Sequence, residues 1–440
     1  MSKLDKLEPA FLGDLAFESK VRASDVPDAG LRVYGVDRTD GLTPDAKYTS
    51  KELSRYKVLR PGMFAYNPMR LNIGSIAACT EKHAIGLVSP DYVVFGCKPD
   101  ALDPAFLGYA IKGPEWRQWT TAAGVGSVRV RIYFRELARM PMTVPPLAEQ
   151  KAIASVLGAL DDKIELNRRM NATLESMARA LFQSWFVDFD PVRAKQSGQG
   201  FNSPRRKGEA KGFESPDLHL FPDSFQDSDL GPIPTGWEIS KLKNLTSKIG
   251  SGATPRGGSE VYVEEGIAFI RSQNVYDHEF HWSGLARLTD KSADELRNVE
   301  VMKNDVLLNI TGDSILRTCV VDPSVLPARV NQHVAIIRAI KGIPPRYLHL
   351  YLVQPAIKSL LIGMSAGATR HAITKGHLES MDVLLPPSDV LEAFEKIVTP
   401  WFDQIDLNRI QSRTLATLRD TLLPKLLSGE LNLTKSTPTI

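Results

Sequence analysis

The sequence predicts an α/β (more specifically α+β) protein built twice over. Two globular blocks should alternate with two long antiparallel coiled-coil helices, related by an internal pseudo-two-fold repeat. Three observations carry this. Residues 145–169 recur at 386–410: Pro145-Pro146 falls on Pro386-Pro387, and Asp162-x-Ile164-x-Leu166-Asn167-Arg168 falls on Asp403-x-Ile405-x-Leu407-Asn408-Arg409. The offset is constant, since 386 less 145 and 408 less 167 both give 241. The register extends upstream, where Gly126-x-x-Arg129-x-x-Ile132 matches Gly367-x-x-Arg370-x-x-Ile373, and downstream, where Thr173-Leu174 matches Thr414-Leu415. An ungapped register of roughly sixty residues at so long a period marks a duplicated domain, not a solenoid. The second observation is apolar spacing of three and four residues in both copies; the third is short apolar runs broken by Gly, Pro and Asn elsewhere.

Taken in order, residues 1–144 form the first block. Apolar runs at 31–36, 63–66 and 92–95 read as short strands, and 106–119 as helix interrupted at Pro114. Residues 145–187 form the first long helix. Ile153, Leu157, Leu160, Ile164, Leu174, Ala178 and Leu181 make its seam, with Asn167 and Asn171 on the same line. The Pro145-Pro146 pair ends the preceding strand and suits a helix start. Residues 188–235, rich in Ser, Gly, Pro and charge with isolated Phe and Leu, read as an extended or partly ordered linker. Residues 236–385 repeat the first block in outline. Residues 386–430 repeat the helix, with Val398, Trp401, Ile405, Asn408, Leu415 and Leu422 on its seam, and 431–440 form a tail. Two matched apolar seams are most economically buried on each other, which would place the blocks at opposite ends of a helical bar.

Composition narrows the class. A 440-residue chain allows two to four domains, and its 43% hydrophobic and 24% charged residues are those of an ordinary globular protein. The net charge of +3 means that any basic surface is local. Cys79, Cys97 and Cys319 are too dispersed for a metal or redox pair, which suits a reducing cytoplasm. Neither a signal peptide nor a membrane span is expected.

Catalytic motifs are weak. There is no Gly-rich Lys-Ser/Thr phosphate loop and no nucleophile elbow. Gly124-x-Gly126 lacks a third glycine. Asn67-Pro68-Met69-Arg70 resembles the start of an adenine-methyltransferase Asn-Pro-Pro-aromatic motif, but the second proline and the aromatic are missing, so a turn after a strand is the better reading. His278 and His281 lie three apart with no third ligand at recognisable spacing, so no metal site is expected.

Binding signals are stronger. Residues 249–258 form a glycine- and hydroxyl-rich loop in which Ser251, Thr254 and Arg256 suit phosphate or guanine contacts. A flexible surface loop is an equal competitor. Arg271-Ser272-Gln273-Asn274 follows an apolar run and carries the amides that pair with adenine; its positional counterpart is the segment ending in Arg38. Thr311 and Arg70 sit in similar polar turns. Arg129, Arg131 and Arg370 belong to the repeated basic segments before each helix, where a plain turn into the last strand competes.

These motifs together resemble the DNA-specificity subunit of type I restriction–modification systems. The resemblance rests on Pro145-Pro146-Leu147-Ala148-Glu149-Gln150-Lys151 with Leu160–Asn167, on Ser184-Trp185-Phe186-x-Asp188-Phe189-Asp190-Pro191, on Leu230-Gly231-Pro232-Ile233-Pro234-x-Gly236-Trp237, and on Leu423-Pro424-Lys425-Leu426-Leu427-Ser428-Gly429-Glu430. It spans nearly the whole chain. The second copy departs from it, with Asp389-Val390-Leu391 in place of the Glu-Gln-Lys signature. The resemblance implies two target-recognition domains, each reading one half of a split sequence in double-stranded DNA. It also implies two methyltransferase subunits that bind S-adenosylmethionine, a restriction and translocase subunit, and no catalysis or cofactor in this chain itself. Asn167 and Asn408 then either fix helix register or contact the methyltransferase. A self-contained DNA adenine methyltransferase and a non-specific coiled-coil adaptor are the alternative readings, separable by S-adenosylmethionine binding and by DNA footprinting.

A ruler prediction follows. Helices of about 40 residues span roughly 60 Å. Inserting one heptad after Arg169 and another after Ile410 keeps both seams in phase and adds about 10 Å, or about three base pairs of unread spacer at about 3.4 Å each. Methylated-motif sequencing should show that longer spacer with both half-sites unchanged, and an insertion in one helix alone should destabilise the protein.

Overall fold

The computed structural model describes residues 10–27, 30–38, 41–44, 46, 48–123, 131–198, 217–365 and 372–433. Arg129 and Arg370 lie outside them, as does the centre of the linker. The chain divides into two compact units, one made of Met1–Asn167 with Ile410–Ile440 and the other of Arg168–Arg409. The two long helices, Leu147–Phe186 and Ser388–Leu427, each run 40 residues, and each lends part of its length to both units. Among the described residues no helix is long and apolar enough to cross a membrane.

Both units carry the same strand frame. In the first, an antiparallel sheet runs in the order Ala16–Ser19, Val93–Cys97, Met63–Tyr66, Ile76–Ala78. In the second the order is Thr246–Ser251, Val334–Ala339, Val306–Asn309, Thr318–Val320. Tyr66 opposes Ile76 and Val93, while Leu308 opposes Thr318 and Ala335. Adding 242 to each member of the first set gives the second, so the separations and register of these three strands are identical. Leu87 and Arg329, again 242 apart, each take a parallel partner, Val33 and Phe269, and those partners are 236 apart. The segment 35–38 therefore corresponds in position to 271–274, as the order of apolar runs predicts, although only an isolated bridge at Val33 precedes it and Gly35–Asp37 is itself a strand.

Each frame continues into two short helices that start on proline, Pro104–Ala110 and Pro114–Ala122 in one unit, Pro345–Leu352 and Pro355–Ser365 in the other. Proline is pre-set for the first helical position, so Pro114 ends one helix and opens the next. A final strand then pairs with the first: Pro141–Met142 with Ala10–Phe11, and Asp382–Leu385 with Glu238–Lys241.

The helix seams are buried on each other and on the globular blocks together. Ile153 and Leu157 enter the core of the first unit together with Leu426. Leu181, Phe182, Trp185 and Phe186 enter that of the second, with Phe394, Val398, Phe402 and Ile405. Between these apolar stretches the seam is polar. In the first unit Arg419 Nη1 donates to Asp161 at 2.6 Å and Asn167 Nδ2 to Gln411 Oε1 at 2.9 Å. In the second, Asn408 Nδ2 donates to Asn171 Oδ1 at 2.8 Å and Arg409 Nη2 to Glu175 at 3.0 Å. The helix segments are antiparallel within each unit. Asn167 and Asn408 are buried and paired across the seam, which favours the register reading of both.

The missing Glu-Gln-Lys signature has a physical reason. Buried Gln150 accepts from the Asp103 N–H at 2.9 Å and donates to the Ala101 and Pro145 carbonyls. At the 241 offset Asp103 becomes Pro344, which has no N–H, and Gln150 becomes buried Leu391. Without a donor to satisfy, an apolar side chain is the better filler.

The described parts of the linker are ordered. Asp190–Gln196 is helical, Phe225–Gln226 pairs with Ile233–Pro234, and Phe189, Val192, Phe221, Ile233 and Trp237 lie in the second unit's core. Its isolated aromatic residues are anchors. Phe394 meets the rings of Phe182, Trp185 and Phe186 at centroid distances of 6.1, 6.1 and 5.0 Å. Phe394→Ala should remove about 3–5 kcal/mol from the second unit, seen as an earlier denaturant transition in the fluorescence of the adjoining Trp185.

Candidate nucleic-acid interface

In the second unit the strands deliver several polar turns to one rim. Strand Thr246–Ser251 ends where Val334–Ala339 begins, with Ser251 opposite Ala335, and Asn309 closes Val306–Asn309 opposite Val334. Ala253 N–H donates to the Val330 carbonyl, which brings the 251–256 loop against the 331–333 turn. Side chains then join across the rim. Thr254 Oγ1 donates to Gln332 Oε1 at 2.6 Å, Gln332 Nε2 lies 3.1 Å from His333 Nε2, and His333 Nδ1 lies 2.6 Å from Thr311 Oγ1. With Gln332 donating to Nε2, Nδ1–H is the donor to Thr311. Exposed Ser251 and Arg256 flank this row.

The 271–274 turn joins the same rim. Asn309 is fully buried and donates from Nδ2 to the Ser272 carbonyl at 2.9 Å and to Ser314 Oγ at 3.1 Å. Gln273 is exposed, with Nε2 on the Gly284 carbonyl at 3.1 Å; Arg271 shares that carbonyl at 2.6 Å. Asn274 departs from expectation. Its side chain is 0% exposed, accepts from the Arg271 N–H and donates to the His281 and Ser283 carbonyls. A saturated, buried amide braces the turn and has no edge to offer a base. Ser272 is half-buried and contributes its carbonyl to Asn309.

In the first unit three arginines meet around one turn. Asn67 closes strand Met63–Tyr66 and accepts from the Met69 N–H at 2.9 Å, so Asn67-Pro68 is a turn, as read from sequence. Arg70 is exposed within it. Gly74 holds φ +89° at its far end, and Arg38 Cγ lies 3.7 Å from where a side chain there would begin. Ile132 N–H donates to the Pro68 carbonyl at 3.0 Å, setting exposed Arg131 beside the turn. The positive charge of Arg70 reaches Tyr92, whose hydroxyl pKa burial nonetheless raises. The equivalent hydrogen bond in the second unit joins Ile373 N–H to the Ile310 carbonyl at 2.9 Å, where Thr311 pairs with Ala372.

Sequence reasoning passed over Gln332, His333, Tyr276 and Arg317. Asn331-Gln332-His333 is a polar turn between strands, the signal used elsewhere, but it is hidden inside a long apolar stretch. Among the described residues no group of three His, Cys, Asp or Glu is placed to hold a metal ion. His278 and His281 do not converge: His278 packs edge-on against buried His349 at 5.0 Å, whereas His281 stacks on Tyr276.

Residues 70–176 match the family model for the type I restriction modification DNA specificity domain. The chain is 25% identical over 407 residues to the HindI specificity subunit of Haemophilus influenzae, covering 85% of this chain and 88% of that one. Over most of its length the chain is thus similar to type I specificity subunits. The MjaIX specificity subunit of Methanocaldococcus jannaschii is 25% identical over 341 residues, covering 76% and 70% of the two chains. The crystal structure of a type I restriction–modification S subunit from M. genitalium shares the fold, with a TM-score of 0.55 at 15% identity over 95% of each chain. The family-model match takes in the 67–75 turn from Arg70 onward and much of the first long helix, so the specificity-subunit resemblance in the sequence is borne out.

Two packed histidines, His278 and His349, both bond to the Thr318 carbonyl and carry a pH signature. Burial, then the charge of Arg179, lowers the His278 pKa to about 4, and burial drives that of His349 well below the usual range. Between about 4 and the ordinary 6.5 the unfolded chain takes up protons that the folded one refuses. His278 therefore favours folding fully above pH 6.5 and loses that contribution as the pH falls to about 4. At about 1.4 kcal/mol per pKa unit, the loss is up to about 3 kcal/mol. Denaturant titrations from pH 7 to 4.5 should show the second unit weakening. His278→Asn, which tolerates the left-handed φ of +66° at this position, should flatten that decline.

Proposed function

We propose that the chain is the DNA-specificity subunit of a type I restriction–modification complex. Each unit reads one half of a bipartite site, and the long helices set the unread spacer and dock the methyltransferase subunits. The observation that carries this reading is the duplicated frame with unlike rims. Strands of identical register present Arg38, Arg70 and Arg131 in one unit, and Ser251, Thr254, Arg256, Gln273 and Thr311 in the other. A shared scaffold bearing different donors and acceptors suits two different base sequences.

Support for partners comes from the helices. Leu166 and Met170 are four apart on the first helix and 50% and 36% exposed; Leu407 and Ile410 on the second are 60% and 43% exposed. Apolar side chains left in water at helical spacing suit a partner protein. In this reading the methyltransferase subunits bind S-adenosylmethionine and transfer its methyl group, a restriction and translocase subunit completes the complex, and this chain contributes recognition alone in the cytoplasm.

The purified chain should neither methylate nor cut DNA. With its methyltransferase partner it should direct adenine methylation to one split motif. Replacing residues 236–385 by the corresponding block of a relative should change one half of that motif and leave the other intact, as read by sequencing methylated sites. Arg256→Ala or Gln273→Ala should weaken the same half by about 1–3 kcal/mol per lost base contact. Turnover by the chain alone, or loss of both halves on replacing one block, counts against the reading.

A further inference from the structure

A three-layer stack stands beside the rim of the second unit. The guanidinium of Arg317 lies over the Tyr276 ring, 4.4 Å from its centroid, and that ring stacks on His281 at 3.8 Å and 15°. All three side chains are half-buried. A guanidinium held over an aromatic face by its central carbon leaves the N–H donors at its edge free for other partners. That is the presentation which pairs two N–H groups with guanine O6 and N7.

The surroundings hold this presentation. Leu316, buried to 2% exposure, has φ +64°, a costly conformation for leucine. Its N–H donates to the Asn309 carbonyl at 2.8 Å, and the Asn309 N–H donates to the Arg317 carbonyl at 2.9 Å. Burying Leu316 in this way leaves its neighbour Arg317 turned toward the stack. The turn that carries Tyr276 and His281 is gripped from the second long helix. Arg409 Nη2 donates to the His278 carbonyl at 2.9 Å while its guanidinium also meets Glu175 at 3.0 Å and Asp406 at 3.5 Å. The His278 N–H donates to the Thr318 carbonyl at 2.9 Å, and Asp277 is paired with Lys358 at 2.7 Å.

We infer that Arg317, carried on Tyr276 and His281, reads a guanine edge in the half-site recognised by the second unit, and that Arg409 is the positioning residue that holds the stack. This rests on the DNA-specificity reading. It makes the helix part of base recognition as well as of spacing.

The test uses the full chain in complex with its methyltransferase partner, with methylation rates measured on duplexes varied one position at a time. Arg317→Ala should reduce discrimination at one or two positions of the second unit's half-site by about ten-fold, with the other half unaffected. Arg317→Lys keeps charge but not the flat fork and should lose the same discrimination. Tyr276→Phe preserves the stack and should retain it. Arg409→Lys should relax the same positions more weakly, a position-resolved effect that a general loss of stability does not produce. Full retention of discrimination by Arg317→Ala, rescue of it by Arg317→Lys, or equal loss at both halves would overturn the inference while leaving the subunit reading intact. An unmodified complex that methylates no split motif would overturn that reading and the inference together.

Discussion

The structure depends on how a forty-residue helix disposes of its apolar face. Neither long helix is apolar throughout. Each is apolar where a globular block covers it and polar in between, so packing against the blocks stabilises the helix and the helix completes their cores. Ile153 and Leu157 fill the first unit, and Leu181, Phe182, Trp185 and Phe186 fill the second. Burying side chains of that size stabilises by about 1.5–3 kcal/mol each. The polar middle adds little of that kind. Its asparagines and ion pairs instead penalise any shift of register, because a slip leaves buried amides without partners.

The recognition frames follow the same economy. Apolar strands of three to six residues are covered by two proline-initiated helices and closed by a strand that leads directly into a long helix. The core side of each strand is thereby constrained, whereas the turns at the rim are free to carry any polar chemistry that the underlying braces can support. Asn309 and Asn274 are such braces: both are fully buried, and both tie one rim turn to another.

The helices and the duplication were legible because periodicity and near-identity survive in one sequence. The kinship of the two globular blocks was legible only in outline. Their strands are short, and unequal loops before Tyr66 and Leu308 break any single offset between the early parts of the blocks. Asn274 was misjudged because a turn amide looks the same in sequence whether it faces solvent or its own backbone. The linker's anchors, Phe189 and Phe221, stand alone in the sequence because they obey no local period and acquire meaning only by meeting Trp237 in space. The Arg317 stack had no signal at all, being assembled from residues 276, 281 and 317 on separate turns. Among the rim residues, those after visible apolar runs are legible in the sequence as polar turns, and those embedded within one, such as Gln332 and His333, are not.

The contrast between Gln150 and Leu391 bears on how such chains exchange parts in evolution. Gln150 answers the N–H of Asp103, and Leu391 sits where Pro344 presents none. A recombination crossover at the proline pair would set the glutamine of one copy against the proline of the other and strand a buried amide, at a cost of about 1–3 kcal/mol. A crossover one or two helical turns later would carry each block together with the helix start that fits it. The inheritable module is therefore a globular block plus the first turns of the helix after it, and breakpoints in natural hybrids should cluster inside the helix rather than at its entrance.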